Sequence, residues 1–132
     1  MKNILIFSIV CWVLLACSSE EKPDCDYGYT ITKEALASCH KAAEQGEALA
    51  QIYLGNKYQH GKGEVTRDFA QAVQWYKKAA KQGWATAQYD LGQMYFRGEG
   101  VTQDYNQAFQ WFKKAAEQGD AKVQHILGTM YD

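Results

Sequence analysis

From Lys33 onward, apolar side chains recur at the three-and-four spacing of a helix that buries one face. The clearest stretch is Phe69, Ala72, Val73, Tyr76 and Ala80. Asp68 stands one residue ahead of it and Gln71 three positions on, the spacing of an N-cap and a polar partner able to bond back reciprocally. Lys77, Lys78 and Lys81 gather at the far end, where cations oppose the negative helix terminus. Gly83 then stops the helix, because glycine takes the left-handed conformation just past a helix end without steric cost. A second helix is predicted from about Trp84 to Phe96. Gly98-Glu99-Gly100 closes the unit, and Val101 is placed to pack beneath that turn. The pattern predicts a helical hairpin.

The hairpin is repeated. Asp68 to Gly83 recurs as Asp104 to Gly119, 36 residues later, with Trp75 answered by Trp111 and Tyr76 by Phe112. Ala85, Gln88, Leu91, Gly92, Met94 and Tyr95 return at the same shift as Ala121, Gln124, Leu127, Gly128, Met130 and Tyr131. A weaker copy lies upstream. Its Lys41 to Gly46 matches Lys78 to Gly83 at a shift of 37, followed by Ala48, Gln51, Leu54, Gly55 and Tyr58, with Glu64 as the extra residue in a turn. A glycine inside a helix costs about 1 kcal/mol against alanine. Its return at Gly55, Gly92 and Gly128 therefore predicts points where a bulky ring of a neighbouring helix comes close.

The pattern of the second copy (Ala72, Trp75, Tyr76, Lys78, Ala79, Ala80, Gln82, Gly83, Ala85, Ala87, Gln88, Leu91, Gly92, Met94, Tyr95, Gly98, Gly100 and Val101) resembles the Sel1-like repeat, a relative of the tetratricopeptide repeat. The resemblance covers roughly Ala35 to Tyr131, and its first copy is degenerate, with Ser38 and Cys39 where Trp75 and Tyr76 stand. It implies an all-α solenoid of three antiparallel helix hairpins: repeat 1 over 33–65, repeat 2 over 66–101 and a truncated repeat 3 over 102–132. Hairpins of this kind cannot bury their apolar faces alone; stacking makes a shared core and leaves an extended surface suited to peptides and proteins. The chain stops inside the last helix of the third hairpin, so Ile126, Leu127, Met130 and Tyr131 are expected at an open end suited to a partner or to self-association.

The N-terminus reads as an address. After Met1-Lys2-Asn3, residues Ile4 to Leu15 are apolar except for Ser8. That run is short for a bilayer, which needs about 20 residues in a helix, and it has the build of a signal peptide over 1–16. Leu14-Leu15-Ala16-Cys17 resembles the bacterial lipobox, which implies acylation of Cys17 with palmitate-type chains; two or more lipid chains make a stable anchor. A tether over 17–32 follows. Ser18, where an aspartate would imply retention at the inner membrane, points to an outer-membrane anchor facing the periplasm. An ordinary secretory signal, with Cys17 a plain thiol, is the alternative.

Four cysteines are present. Cys11 leaves with the signal and Cys17 takes the lipid, so Cys25 and Cys39 remain as a pair in an oxidising compartment, where an even remainder reads as a disulfide. It would close a loop worth about 3 kcal/mol and pin the tether to the first helix. Free thiols are the second reading and a metal site the third. His40 beside Cys39 points about 100° away on a helix and no further ligand falls at suitable spacing, so no metal is assigned.

Composition removes further classes. Fourteen basic against fifteen acidic residues give a net charge of −1, a poor start for nucleic-acid binding, which needs a basic patch to neutralise phosphates. No cofactor fingerprint is present, since Gly61-Lys62-Gly63 and Gly98-Glu99-Gly100 are turns rather than phosphate loops. Ser38-Cys39-His40-Lys41 and Ser19-Glu20-Glu21-Lys22 both match Ser-x-x-Lys. That motif needs a serine at a helix start with Ser-Asp-Asn and Lys-Thr-Gly elsewhere, and neither companion occurs. Cysteine-rich members of the resembled family imply a β-lactamase-like or penicillin- or peptidoglycan-binding alternative. Repeats 2 and 3 lack the cysteine pairs it would need, so no catalytic residue is assigned. Partner contacts are expected instead where the copies differ and where Tyr, Trp and Arg are enriched in binding hot spots, namely Trp84, Tyr89, Phe96 and Arg97.

Overall fold

A computed structural model describes residues 32–119 and the helix 121–131. The signal peptide and all but the last residue of the tether lie outside the described residues. Six helices follow in order: α1 (Lys33–Glu44), α2 (Ala48–His60), α3 (Phe69–Lys81), α4 (Ala85–Arg97), α5 (Tyr105–Glu117) and α6 (Ala121–Tyr131). No strand occurs among the described residues. The molecule is the expected α-solenoid, with three hairpins, α1–α2, α3–α4 and α5–α6, stacked in series.

Local chemistry sets the helix ends. Thr32, Asp68 and Asp104 cap α1, α3 and α5; their side-chain oxygens accept from the backbone N–H of Ala35, Gln71 and Gln107 at 3.2, 3.0 and 3.0 Å. The reciprocal half of the expected capping box is replaced by something more useful to a stack. The Asp68 N–H donates to the carbonyl of Tyr58 at 2.8 Å, and the Asp104 N–H to that of Tyr95 at 3.0 Å. Each cap thereby straps its hairpin to the last turn of the preceding one. Gly46, Gly83 and Gly119 sit at φ 97°, 93° and 91°, just past α1, α3 and α5. Trp84, expected to open the second helix of its hairpin, is instead the N-cap of α4, without a side-chain capping bond.

The core follows the predicted faces. Ala72, Val73, Tyr76 and Ala80 of α3 are buried against Ala87, Leu91 and Met94 of α4. Upstream, Cys39, Ala42 and Ala43 of α1 pack with Ala50 and Leu54 of α2 and with Trp75. Downstream, Ala108, Phe112, Ala115 and Ala116 of α5 enclose Val123 of α6, with Ile126 and Leu127 partly buried beside them.

The interior glycines are sockets. A Cβ at Gly55 would stand 2.6 Å from the Tyr76 ring, and one at Gly92 would stand 2.7 Å from the Phe112 ring. Gly128 is the unfilled counterpart, with nothing among the described residues within 4 Å of a Cβ placed there. The Tyr76 hydroxyl passes through its socket and donates to Oε1 of Gln59 at 2.9 Å. Phe112 has no hydroxyl, and the equivalent of Asp90, whose carboxylate acts on the Tyr76 phenol, is Ile126, which packs against the Phe112 cluster. Plug and socket surroundings thus change polarity together.

A glutamine ladder joins the hairpins. Nε2 of Gln82 donates to the carbonyl of Gly46 at 3.0 Å and to Oε1 of Gln51 at 2.9 Å, while Gln51 donates to the carbonyl of Ala43 at 2.9 Å. One repeat later, Gln118 donates to Gly83 at 2.7 Å and to Gln88 at 2.9 Å, and Gln88 to Ala80 at 3.2 Å. Buried amides are costly unless both ends are paired. Here each rung satisfies the one below it.

Candidate partner-binding notch

The helices α3 and α5, the last turn of α4 and the loop 101–104 leave a notch between the second and third hairpins. It holds about 540 Å³ and is lined by Lys77, Tyr95, Val101, Thr102, Gln103, Asp104, Gln107 and Trp111. Repetition brings these residues together. Lys77 and Trp111 sit on successive first helices, and Tyr95 ends the helix between them. Trp111 is half-buried, and the ammonium of Lys114 lies over its ring, 4.5 Å from the centroid. The one carboxylate in the lining, Asp104, is already engaged as the α5 cap. The Lys77 side chain has no ion pair or hydrogen bond among the described residues.

The equivalent place between the first and second hairpins is filled. Shifts of 37 and 36 residues map Lys77, Tyr95, Val101 and Trp111 onto His40, Tyr58, Val65 and Trp75. The His40 imidazole is 3.0 Å from the Tyr58 hydroxyl through Nε2 and presents its edge to Trp75, with ring centroids 5.7 Å apart. Trp75 is only 6% exposed and Val65 5%. The indole N–H of Trp75 is buried without a partner among the described residues. Burial holds the Tyr58 phenol above its ordinary pKa, and the nearby Asp68 carboxylate adds to the shift. One seam is closed by a flat ring; the next is left open by a flexible ammonium chain.

The residues expected to form the contact patch are distributed differently. Trp84, 42% exposed, stands at the start of α4 and Arg97 at its end. Thirteen residues of helix rise separate them by about 20 Å, so they do not form one cluster. Tyr89 is half-buried with its ring 5.7 Å from that of Phe112, and its hydroxyl accepts from Gln93 at 3.0 Å. It spends its surface on the next hairpin. Phe96, 40% exposed, meets the edge of Tyr105, 56% exposed, with centroids 5.3 Å apart. Gln103 ties this pair to the notch rim, donating to the carbonyl of Phe96 at 2.9 Å and to the hydroxyl of Tyr105 at 3.0 Å. Phe96 is therefore placed beside the notch and Trp84 is remote from it.

Cys17 and Cys25 lie outside the described residues, whereas Cys39 is fully buried in α1. Ser38 stands in mid-helix, not at the helix start that a Ser-x-x-Lys nucleophile requires. Sequence reasoning passed over Lys77, Tyr95, Gln107 and Trp111 because they belong to the repeat's shared pattern. The signal available was the exchange of His40 for Lys77 at one repeat position.

The profile of the Sel1 repeat family matches residues 48–84 and 85–120. Three solved structures are similar. A Sel1 repeat protein from Oxalobacter formigenes is 41% identical over 73% of this chain and 71% of its own, with a TM-score of 0.69. The protein c5321, described as a protective antigen of uropathogenic Escherichia coli with an SLR fold, is 44% identical over 74% of this chain and 21% of its own, with a TM-score of 0.71. Helicobacter pylori cysteine rich protein B is 27% identical over 91% of this chain and 92% of its own, with a TM-score of 0.70. Among curated proteins none gives a significant match.

Proposed function

The chain belongs to the Sel1 repeat family, and from that premise we propose that it is a protein-interaction module held at the bacterial cell envelope by lipid on Cys17. The interaction reading is carried by the open notch between α3 and α5, an aromatic and cationic recess at a seam between hairpins. Stacked repeats present such recesses on rigid elements, which lowers the ordering cost of binding. The anchor is supported by the apolar run Ile4–Leu15 ending in Leu14-Leu15-Ala16-Cys17, and the periplasm-facing outer membrane by Ser18. A Cys25–Cys39 disulfide fits that compartment and is supported by the burial of Cys39 against Leu54 and Trp75.

Metabolic labelling with radioactive palmitate tests the anchor. The full chain is expected to take up label and fractionate with membranes, and Cys17→Ser to lose both; label retained in Cys17→Ser refutes it. Cross-linking of intact envelopes tests the interaction. A discrete adduct with another envelope protein is expected, and its absence at every cross-linker length refutes the module reading.

A further inference from the structure

We propose that the notch receives an acidic peptide of a partner protein, in which a Glu or Asp carboxylate meets the Lys77 ammonium and the adjoining apolar side chain lies on Trp111 and Val101. This names the ligand chemistry of the interaction site and rests on that reading.

Charge complementarity selects the occupant. The whole chain is nearly neutral, yet α3 carries Lys77, Lys78 and Lys81 with no acidic residue, and α5 carries Lys113 and Lys114 with Glu117 alone at its end. Within the notch the one carboxylate, Asp104, accepts the Gln107 N–H at 3.0 Å and forms no ion pair with Lys77, so the Lys77 ammonium has no paired anion among the described residues. Outside the lining, the Lys114 ammonium lies 4.5 Å from the centroid of the Trp111 ring and adds positive charge to this side of the seam. An ammonium beside half-covered aromatic surface favours a ligand that brings a carboxylate and an apolar group together.

The first seam serves as an internal comparison. There the same backbone frame holds His40 in place of Lys77, and its ring occupies the space between Tyr58 and Trp75. A histidine at 77 is therefore expected to fill the second notch in the same way, between Tyr95 and Trp111. This separates shape from charge, since Lys77→Arg keeps the cation and leaves the recess open.

The test pans a phage library of random peptides on the full chain in detergent micelles. Enriched peptides are then titrated by fluorescence anisotropy against wild type and against Lys77→Glu, Lys77→His, Lys77→Arg and Lys62→Glu. Far-UV circular dichroism checks that each variant is folded. Enriched peptides are expected to place Glu or Asp beside an apolar residue. Lys77→Glu and Lys77→His should each weaken them about tenfold or more, Lys77→Arg by about threefold at most, and Lys62→Glu not measurably. The indole N–H resonance of Trp111 should move on titration while that of Trp75 stays. Peptides without an acidic residue, binding indifferent to Lys77→His, or a shift at Trp75 instead overturns the proposal while leaving an interaction module in place. Failure to enrich any peptide overturns it as well, and envelope cross-linking then decides the broader reading separately.

Discussion

Adding one methyl group at three equivalent glycines should give opposite results, because their sockets are occupied differently. At Gly92 a Cβ would fall 2.7 Å from two atoms of the Phe112 ring, well inside ordinary contact. Phe112 cannot retreat easily, being enclosed by Ala108, Ala115, Ala116 and Val123, with Tyr89 on its flank. Overpacking of this kind costs about 1–3 kcal/mol, and the better helix propensity of alanine returns about 1 kcal/mol. Gly92→Ala is thus expected to destabilise by up to about 2 kcal/mol, or up to about 15 °C in Tm for a domain of this size. Gly55→Ala should cost more, since displacing Tyr76 also strains its 2.9 Å bond to Gln59. Gly128→Ala meets nothing within 4 Å among the described residues, so only the propensity gain of about 0.5–1 kcal/mol remains and Tm should rise. Thermal melts of the four proteins by circular dichroism should rank Gly55→Ala below Gly92→Ala, below wild type, below Gly128→Ala. Combining Gly92→Ala with Phe112→Leu should recover part of the loss through a favourable coupling. A Gly92→Ala protein as stable as Gly128→Ala would refute the socket argument.

Burial holds the Asp90 carboxyl at about 6, so its folded form binds a proton more tightly than the unfolded chain does. Stability from this group is present at low pH and lost as pH rises through about 4 to 6, up to about 3 kcal/mol; urea melts of Asp90→Asn should lack that step and show a more stable protein at pH 7. Gln88→Leu removes one of the bonds to the Ala80 carbonyl, which keeps the Gly83 N–H, and takes the Gln88 acceptor from the Gln118 amide, a loss of about 1–2 kcal/mol readable from the same melts. Asp68→Ala removes the α3 cap and should cost about 1 kcal/mol, with Asp68→Asn close to wild type.

The hairpins were legible because helical period, caps and stop glycines all agree with a 36-residue repeat, and that agreement needs no tertiary information. The sockets were legible too, since a helix keeps an unfavourable interior glycine only where something large approaches. The notch was not. Trp75 and Trp111 are the same residue at the same repeat position, yet one is sealed beneath His40 and the other is half-open beside Lys77. Variation was read instead on the second helix of each hairpin, at Tyr89 and its equivalents, where the structure shows the side chain packing on Phe112. Sequence difference marks where copies diverge; whether the divergence faces a neighbour or a ligand depends on the stack. The reciprocal capping bond failed for the same reason, because the backbone N–H it would have used is taken by the preceding hairpin.

The notch and the stability of the seam are one physical object. Lys77 and Tyr95 belong to the second hairpin, Gln107 and Trp111 to the third, and the spacing between them is set by three ties. These are Phe112 in the Gly92 socket, the Asp104 N–H on the Tyr95 carbonyl, and Gln118 on Gly83 and Gln88. In a linear array such interface terms, rather than the hairpins alone, decide how readily one unit opens from its neighbour. A ligand touching both walls adds to those ties and must stabilise the third hairpin by linkage, whereas one held by α3 alone leaves it unaffected. Hydrogen exchange separates the two cases. Saturation with a notch-binding peptide should slow exchange of α5 amides roughly tenfold at 10 Kd and leave α1 unchanged. Equal protection of α1 and α5 would mean that the peptide tightens the molecule as a whole and does not bridge this seam.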